Sequence, residues 1–280
     1  MGLTRLGLLT VVLALAPASA RAQDLPPALA ERFAEGVDAL KAGDLDTAER
    51  ALRDVVARGG SRAFVHHNLG ILLQQRGRHA DALAEFRAAS ALDPSAGASR
   101  LLAGTSLLAL DRPKEAAAEL TRAAALMPSD ASAHRQLAAA CERTGDAPCV
   151  AREARVLSER SPKDPELLYQ LGRAYLQLAQ WSYQRIRAID PKSARLSQAL
   201  GRELAEQGRV DEAIVAFAEA GARDPKLAGV HLTLAQLLAS KERWDEAIAA
   251  LDKELAIAPG NPVVLDLKAR IQAARQAGKP

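Results

Sequence analysis

The sequence predicts an all-α chain, an α-solenoid of stacked helix–turn–helix units, and three observations carry that prediction. The first is a 34-residue period: Asn68-Leu69-Gly70 is followed by Ala82, Phe86 and Pro94, and Ala199-Leu200-Gly201 by Ala213, Phe217 and Pro225. Leu234-Ala235, followed by Ala247, Leu251 and Pro259, repeats the same offsets. The second is composition: the chain is 49% hydrophobic but only 3% aromatic, so its core must be built from Leu, Ala, Val and Ile, and its high Ala content favours helix. The third is that Gly and Pro recur at intervals instead of clustering. Together these describe a quasi-linear array in which each unit packs on its neighbours.

In chain order, residues 1–22 read as a signal peptide. Met1 to Arg5 is a short positive start and Leu6–Ala16 is an apolar run, long enough for a signal core and short for a membrane span. Ala20-Arg21-Ala22 gives a small-x-small cleavage site. No Cys follows the run, so the modified Cys of a bacterial lipoprotein is missing, and nothing later approaches a membrane-spanning stretch. The expected product is exported, periplasmic or secreted, without membrane insertion of the mature chain. Residues 23–28 form a linker in which Pro26-Pro27 delays the first helix.

The solenoid is expected over 29–277, with units at about 29–62, 63–96, 97–130, 131–164, 165–193, 194–227 and 228–261, a capping helix at 262–277 and a tail at 278–280. Gly70, Gly104, Gly172 and Gly201 sit mid-helix. There Gly costs about 1 kcal/mol against Ala, so a close approach by the paired helix is expected. Ala48, Ala82, Ala116, Ala213 and Ala247 take the reciprocal small position, and Phe86, Leu120 and Phe217 fill the gap to the next unit. Pro94, Pro128, Pro162, Pro225 and Pro259 stop each second helix. Gly43, Gly77, Gly145 and Gly208 allow the turn inside a unit. Unit 165–193 breaks the pattern. It starts with Leu171-Gly172 and Tyr175, but its turn glycine is absent and Pro191 arrives about five residues early. Either its second helix is short or one long helix runs from Glu166 to about Ala188. The last segment presents a polar face, Asp266, Lys268, Arg270, Gln272 and Arg275, suited to covering the open end of the stack.

Charge excludes one partner class. The 37 basic residues lose Arg5 and Arg21 with the leader, leaving 35 against 34 acidic ones, which is no footprint for nucleic acid. Cys141 and Cys149 flank the Gly145-Asp146 turn of one unit; export permits a disulfide, and two free core thiols are the alternative. There is no H-E-x-x-H, G-x-S-x-G or P-loop. Asp211-Glu212 and Asp245-Glu246 stand at second-helix starts, where carboxylates complement the helix dipole. His66 and His67 are adjacent on a helix and diverge, so they form no chelate and are expected to face solvent or a groove. No catalytic residue, metal or cofactor is expected, and the chain is not expected to be an enzyme.

With six near-regular units in phase, the chain resembles the tetratricopeptide repeat family over roughly Leu29 to Ala277. The consensus Trp of the first helix is missing; His134, Leu168, Ser197 and His231 stand at that position. The resemblance implies a right-handed superhelix whose concave face, lined by the first helix of each unit, binds extended or helical peptides. Carried over by repeat position, that groove is Phe33 and Val37; Phe64, His67 and Ile71; Leu101 and Thr105; Arg135 and Arg143; Tyr169 and Arg173; and Arg202. Its first half is apolar and its later part carries Arg, so a hydrophobic segment followed by acidic groups would be complementary. The carboxylate-clamp pattern of the family is incomplete: Asn68 matches, but Phe33, Val37, Ala98 and Leu102 replace the basic residues.

The implied function is a non-catalytic interaction scaffold. It would dock an unidentified protein or peptide, in assembly of an envelope or secretion complex, or as an accessory subunit for cytochrome maturation or cell-wall machinery. A different class of reading places a glycan-binding or catalytic site at the aromatic-rich unit, around Tyr169, Arg173, Tyr175, Trp181 and Tyr183.

Overall fold

The structure, a computed structural model, describes residues 24–277. The expected leader, Gln23 and the tail at 278–280 lie outside the described residues. Among the described residues there are 14 α-helices and no strand, and no helix is long and apolar enough to cross a membrane. The chain divides into two compact units between Leu176 and Gln177, and each is described by itself.

In the first unit eight helices form four consecutive antiparallel pairs: α1 (Pro27–Ala42) with α2 (Leu45–Ala57), α3 (Ala63–Gln75) with α4 (His79–Leu92), α5 (Gly97–Ala109) with α6 (Pro113–Leu126), and α7 (Ala131–Thr144) with α8 (Ala147–Arg160). Each second helix also packs on the first helix of the next pair. A ninth helix, α9 (Pro165–Ile189), runs across the division between the units. In the second unit α10 (Ala194–Glu206) pairs with α11 (Val210–Arg223) and α12 (Val230–Ser240) with α13 (Trp244–Ile257). A last helix, α14 (Pro262–Ala277), lies against α13.

The predicted small-against-large pairing is the organising contact at Gly70, Gly104 and Gly201, but not at Gly172, where a Cβ would meet nothing within 4 Å. A Cβ built on Gly70 would lie 2.5 Å from the Phe86 ring, one on Gly104 2.4 Å from Leu120 Cγ, and one on Gly201 2.7 Å from the Phe217 ring. Phe86, Leu120 and Phe217 are fully buried, as are Ala48, Ala82, Ala116, Ala213 and Ala247. Burying a Phe or Leu side chain contributes about 1.5–3 kcal/mol, and the missing Cβ lets the ring seat directly on the facing backbone.

Turn chemistry sets where each pair folds back. Gly43 and Gly145 close α1 and α7 in the left-handed conformation, at φ 80° and 72°, and Asp44 and Asp146 then accept hydrogen bonds from the Thr47 and Cys149 amides to open the next helix. Four other second helices open on an arginine instead. Arg78, Arg112, Arg209 and Arg243 each bind the carboxylate three residues on: Asp81, Glu115, Glu212 and Glu246. The guanidinium holds the Glu115, Glu212 and Glu246 carboxyls below their usual range. The acidic residues at second-helix starts thus close a local ring in addition to facing the helix dipole.

The irregular unit is built on one 25-residue helix, Pro165–Ile189. Asp164 opens it by accepting from the Glu166 amide, and no Gly, Pro, Asn or Asp occurs between Gly172 and Ile189 to stop it. Only Ala174 of α9 is buried.

In the second unit, Ala247, Leu251, Val264 and Ile271 pack into one cluster, so α14 buries its apolar stripe on α13. Lys268 pairs with Asp252 and Arg275 with Asp245 along the rim of that contact.

Candidate partner-binding surfaces

The groove positions read from the sequence divide into three groups. Phe33, Val37 and Ile71 do not line an open surface: they are 2%, 3% and 5% exposed. The Phe33 ring meets the Phe64 ring edge-on, with centroids 5.0 Å apart. Phe33 and Phe64 stand at different positions of successive first helices, yet their rings meet between those helices and take up space expected for a ligand. Phe64 is half-buried in that contact.

A second group is committed to polar ties between first helices. His67 Nδ1 is 2.8 Å from Ser99 Oγ. Gln74 Nε2 donates to Thr105 Oγ1 at 2.9 Å and to the Leu102 carbonyl at 3.1 Å, and Thr105 itself donates to that carbonyl. Arg143 donates to the Leu108 carbonyl at 2.7 Å and to Asp111 at 2.6 Å, tying the end of α7 to the end of α5.

The third group faces solvent. Leu101 and Leu108 are half-buried on α5, and Arg135 on α7 is exposed with no ion-pair partner among the described residues. Tyr169 and Arg173 are exposed on α9, and Arg202 is exposed on α10 in the second unit. Within the first unit, α5 and α7 therefore present half-buried leucines and an exposed guanidinium, whereas Phe33, Val37 and Ile71 on α1 and α3 are covered.

The histidines correct the expectation for His66 and His67. His66 is half-buried and bound on both ring nitrogens, Nδ1 to Glu85 at 2.6 Å and Nε2 to Ser61 Oγ at 2.7 Å. His134 repeats the arrangement, with Nδ1 2.7 Å from Glu153 and Nε2 3.2 Å from the Pro128 carbonyl. In both cases the carboxylate lies 19 residues after the histidine, on the paired second helix.

His231 starts the same way, with Nε2 3.2 Å from the Pro225 carbonyl. The position 19 residues on, however, is Ala250, and His231 Nδ1 is buried without a partner. An open cleft of about 670 Å³ lies beside it, rimmed by Lys226, Lys253 and Ile257. Neither lysine ammonium has an ion-pair partner among the described residues. The signal for this site was a missing glutamate, visible only once the other two His–Glu pairs had been found in space.

Cys141 and Cys149 are joined in a disulfide across the α7–α8 turn, with Cα atoms 5.9 Å apart. Asp146 stands beside them, but its Oδ1 accepts the Cys149 amide, and disulfide sulfurs offer no thiolate to a metal.

This geometry is that of a repeat array, and family models agree. Models described as tetratricopeptide repeat match residues 33–97, 67–131, 101–148 and 204–271. The chain belongs to the tetratricopeptide repeat family. Proteins of this family are in general non-catalytic scaffolds for protein–protein interaction, and this chain shares their repeat fold. A comparison with curated protein sequences returned no match.

Solved tetratricopeptide repeat structures resemble it at low identity. YrrB, a TPR protein with an unusual peptide-binding site, is 22% identical with a TM-score of 0.41, over 79% of this chain and 100% of that one. A tetratricopeptide repeat protein from Parabacteroides merdae is 12% identical with a TM-score of 0.49, over 87% of this chain and 98% of that one. The C-terminal part of a TPR repeat-containing protein from Cytophaga hutchinsonii is 14% identical with a TM-score of 0.45, over 84% and 98%.

Proposed function

We propose that this tetratricopeptide repeat protein is an exported scaffold that docks an acidic protein segment and helps assemble an envelope complex. The observation that carries the reading is a cleft rimmed by two lysines, Lys226 and Lys253, that make no ion pair among the described residues, beside the buried and unpartnered Nδ1 of His231. Arg135 on α7 is exposed and makes no ion pair among the described residues, and Lys226 and Lys253 rim the cleft that His231 lines. By contrast, the turn arginines Arg78, Arg112, Arg209 and Arg243 are matched to carboxylates three residues on, and Arg78 also to Glu49 of the preceding pair. An acidic side chain from a partner entering the cleft beside His231 would meet the ammonium groups of Lys226 and Lys253. At Arg135 it would meet an exposed guanidinium. The leader-like start at residues 1–22 and the Cys141–Cys149 disulfide support an oxidising, exported setting.

The test is crosslinking and affinity capture from envelope extract, comparing wild type with Arg135→Glu and with Lys226→Glu/Lys253→Glu. All three substituted positions are exposed, so circular dichroism should be unchanged. A protein captured by wild type and lost by one of the reversals, by about tenfold or more, supports the reading. Capture unaffected by all three reversals rejects an acidic-segment site on either surface.

A further inference from the structure

The α9 helix carries a complete set of pairing residues with nothing paired to them. In the regular units the mid-helix glycine precedes its aromatic or Leu partner by 16 residues: Gly70 and Phe86, Gly104 and Leu120, Gly201 and Phe217. It precedes the reciprocal Ala by 12 and the closing Pro by 24. In α9 the corresponding residues are Gly172, Ala179, Tyr183 and Pro191, at separations of 7, 11 and 19. Every separation is short by the same five residues. The loss therefore lies between Gly172 and Ala179, where the other units turn.

Without the turn, the first and second helices of this unit have fused. The hole at Gly172 is empty, since a Cβ there would meet nothing within 4 Å, unlike at Gly70, Gly104 and Gly201. The knob, Tyr183, is 45% exposed.

Helical geometry places both on one face. Eleven residues at about 100° each return to within about 20° of the starting direction, about 16 Å along the axis. Leu168, Tyr175, Leu176, Ala179 and Ile186 fall within about 60° of the same direction. Leu168, Tyr175 and Leu176 are exposed large apolar residues, Leu176 to 67%. No other helix packs extensively along α9 among the described residues.

We infer that a second copy of this chain covers this face. The two α9 helices cross antiparallel about a two-fold axis between Gln177 and Leu178, and Tyr183 of each copy enters the Gly172 hole of the other. The same operation sets Leu176 against Ala179, again large against small, and opposes no two like charges. It rebuilds two complete helix pairs from two fused helices, each pair drawing one helix segment from each copy, so that the contact is isologous and closed. A foreign helix has no reason to carry both knob and hole in this register, whereas a second copy carries both by necessity. Folding back within one chain is disfavoured, because the ten residues between Gly172 and Tyr183 contain no turn former.

Sedimentation equilibrium of the full chain tests this. Wild type should be a dimer. Gly172→Leu should retain helicity, because the site is open in the single chain, and should weaken dimerisation about 100-fold or more. Gly172→Tyr/Tyr183→Gly, which exchanges knob and hole, should restore the dimer. Inserting a copy of residues 76–80 after Gln177 restores the regular spacing and should yield a monomer. Tyr183→Ser, at an exposed position, serves as a second disrupting variant should Gly172→Leu lose helicity. A wild-type chain monomeric at about 100 μM overturns the inference. So does a dimer unchanged by both Gly172→Leu and Tyr183→Ser, which would place the contact elsewhere.

Discussion

At the scale of single residues, the turns show how one backbone demand is met by different side chains. Gly43, Gly77, Gly145 and Gly208 turn the chain at φ between 72° and 80°. At the equivalent turns of α5–α6 and α12–α13 stand Asp111 at φ 57° and Glu242 at φ 60°. A left-handed conformation costs a residue with a Cβ about 1–2 kcal/mol. Asp111 offsets part of that through its ion pair with Arg143. Glu242 makes no ion pair among the described residues. Glu242→Gly should therefore stabilise the second unit by about 0.5–1 kcal/mol, after the entropy Gly retains when unfolded is subtracted. Asp111→Gly should stabilise less. Thermal melts of the two variants beside wild type check the difference; a lower melting temperature for Glu242→Gly would contradict it.

At the scale of elements, a helix pair is defined by where its Cβ is missing. Gly104→Ala adds a methyl 2.4 Å from Leu120 Cγ, on a residue with no exposed surface into which to retreat. The helix-propensity gain of about 1 kcal/mol is outweighed by overpacking of about 1–3 kcal/mol. Gly104→Ala is expected to destabilise the chain, by up to about 2 kcal/mol. The same change at Gly172, where the space is open, should raise helicity in dilute, monomeric protein. Urea titration and circular dichroism of the two variants decide it: equal responses would mean that the glycines are not distinguished by packing. The fused α9 belongs to this scale too, since loss of five residues removed the turn while leaving both half-patterns intact.

At the scale of the whole molecule, repeat arrays distribute stability among neighbours instead of pooling it in one core. The division between Leu176 and Gln177 falls in a helix with one buried residue. Phe86→Ala should cost about 3–5 kcal/mol, and that loss should appear as faster amide exchange in α3 to α6. Exchange in α12 to α14, where Leu251, Val264 and Ile271 form their own cluster, should stay as in wild type. Hydrogen exchange read by mass spectrometry checks this; a uniform rise across the chain would show one cooperative unit.

The sequence by itself determined the repeat fold, because glycine holes, alanine contacts and proline stops are local demands of helix pairing and recur at one period. It also located the break at 165–193, since a deletion shifts that period visibly. Only the tertiary structure decided which apolar residues are free. Phe33, Val37 and Ile71 read as groove lining from their repeat position, yet adjacent first helices close over them. The same period describes a side chain packed between neighbours and one facing a ligand, because repeat position fixes direction and not the distance to the next helix. The unpartnered Nδ1 of His231 lay equally out of reach, for it is defined by a carboxylate that two other pairs possess and this one lacks. Solvent exposure and hydrogen-bond partnership are properties of what stands opposite a residue, and what stands opposite is settled only when the helices have packed.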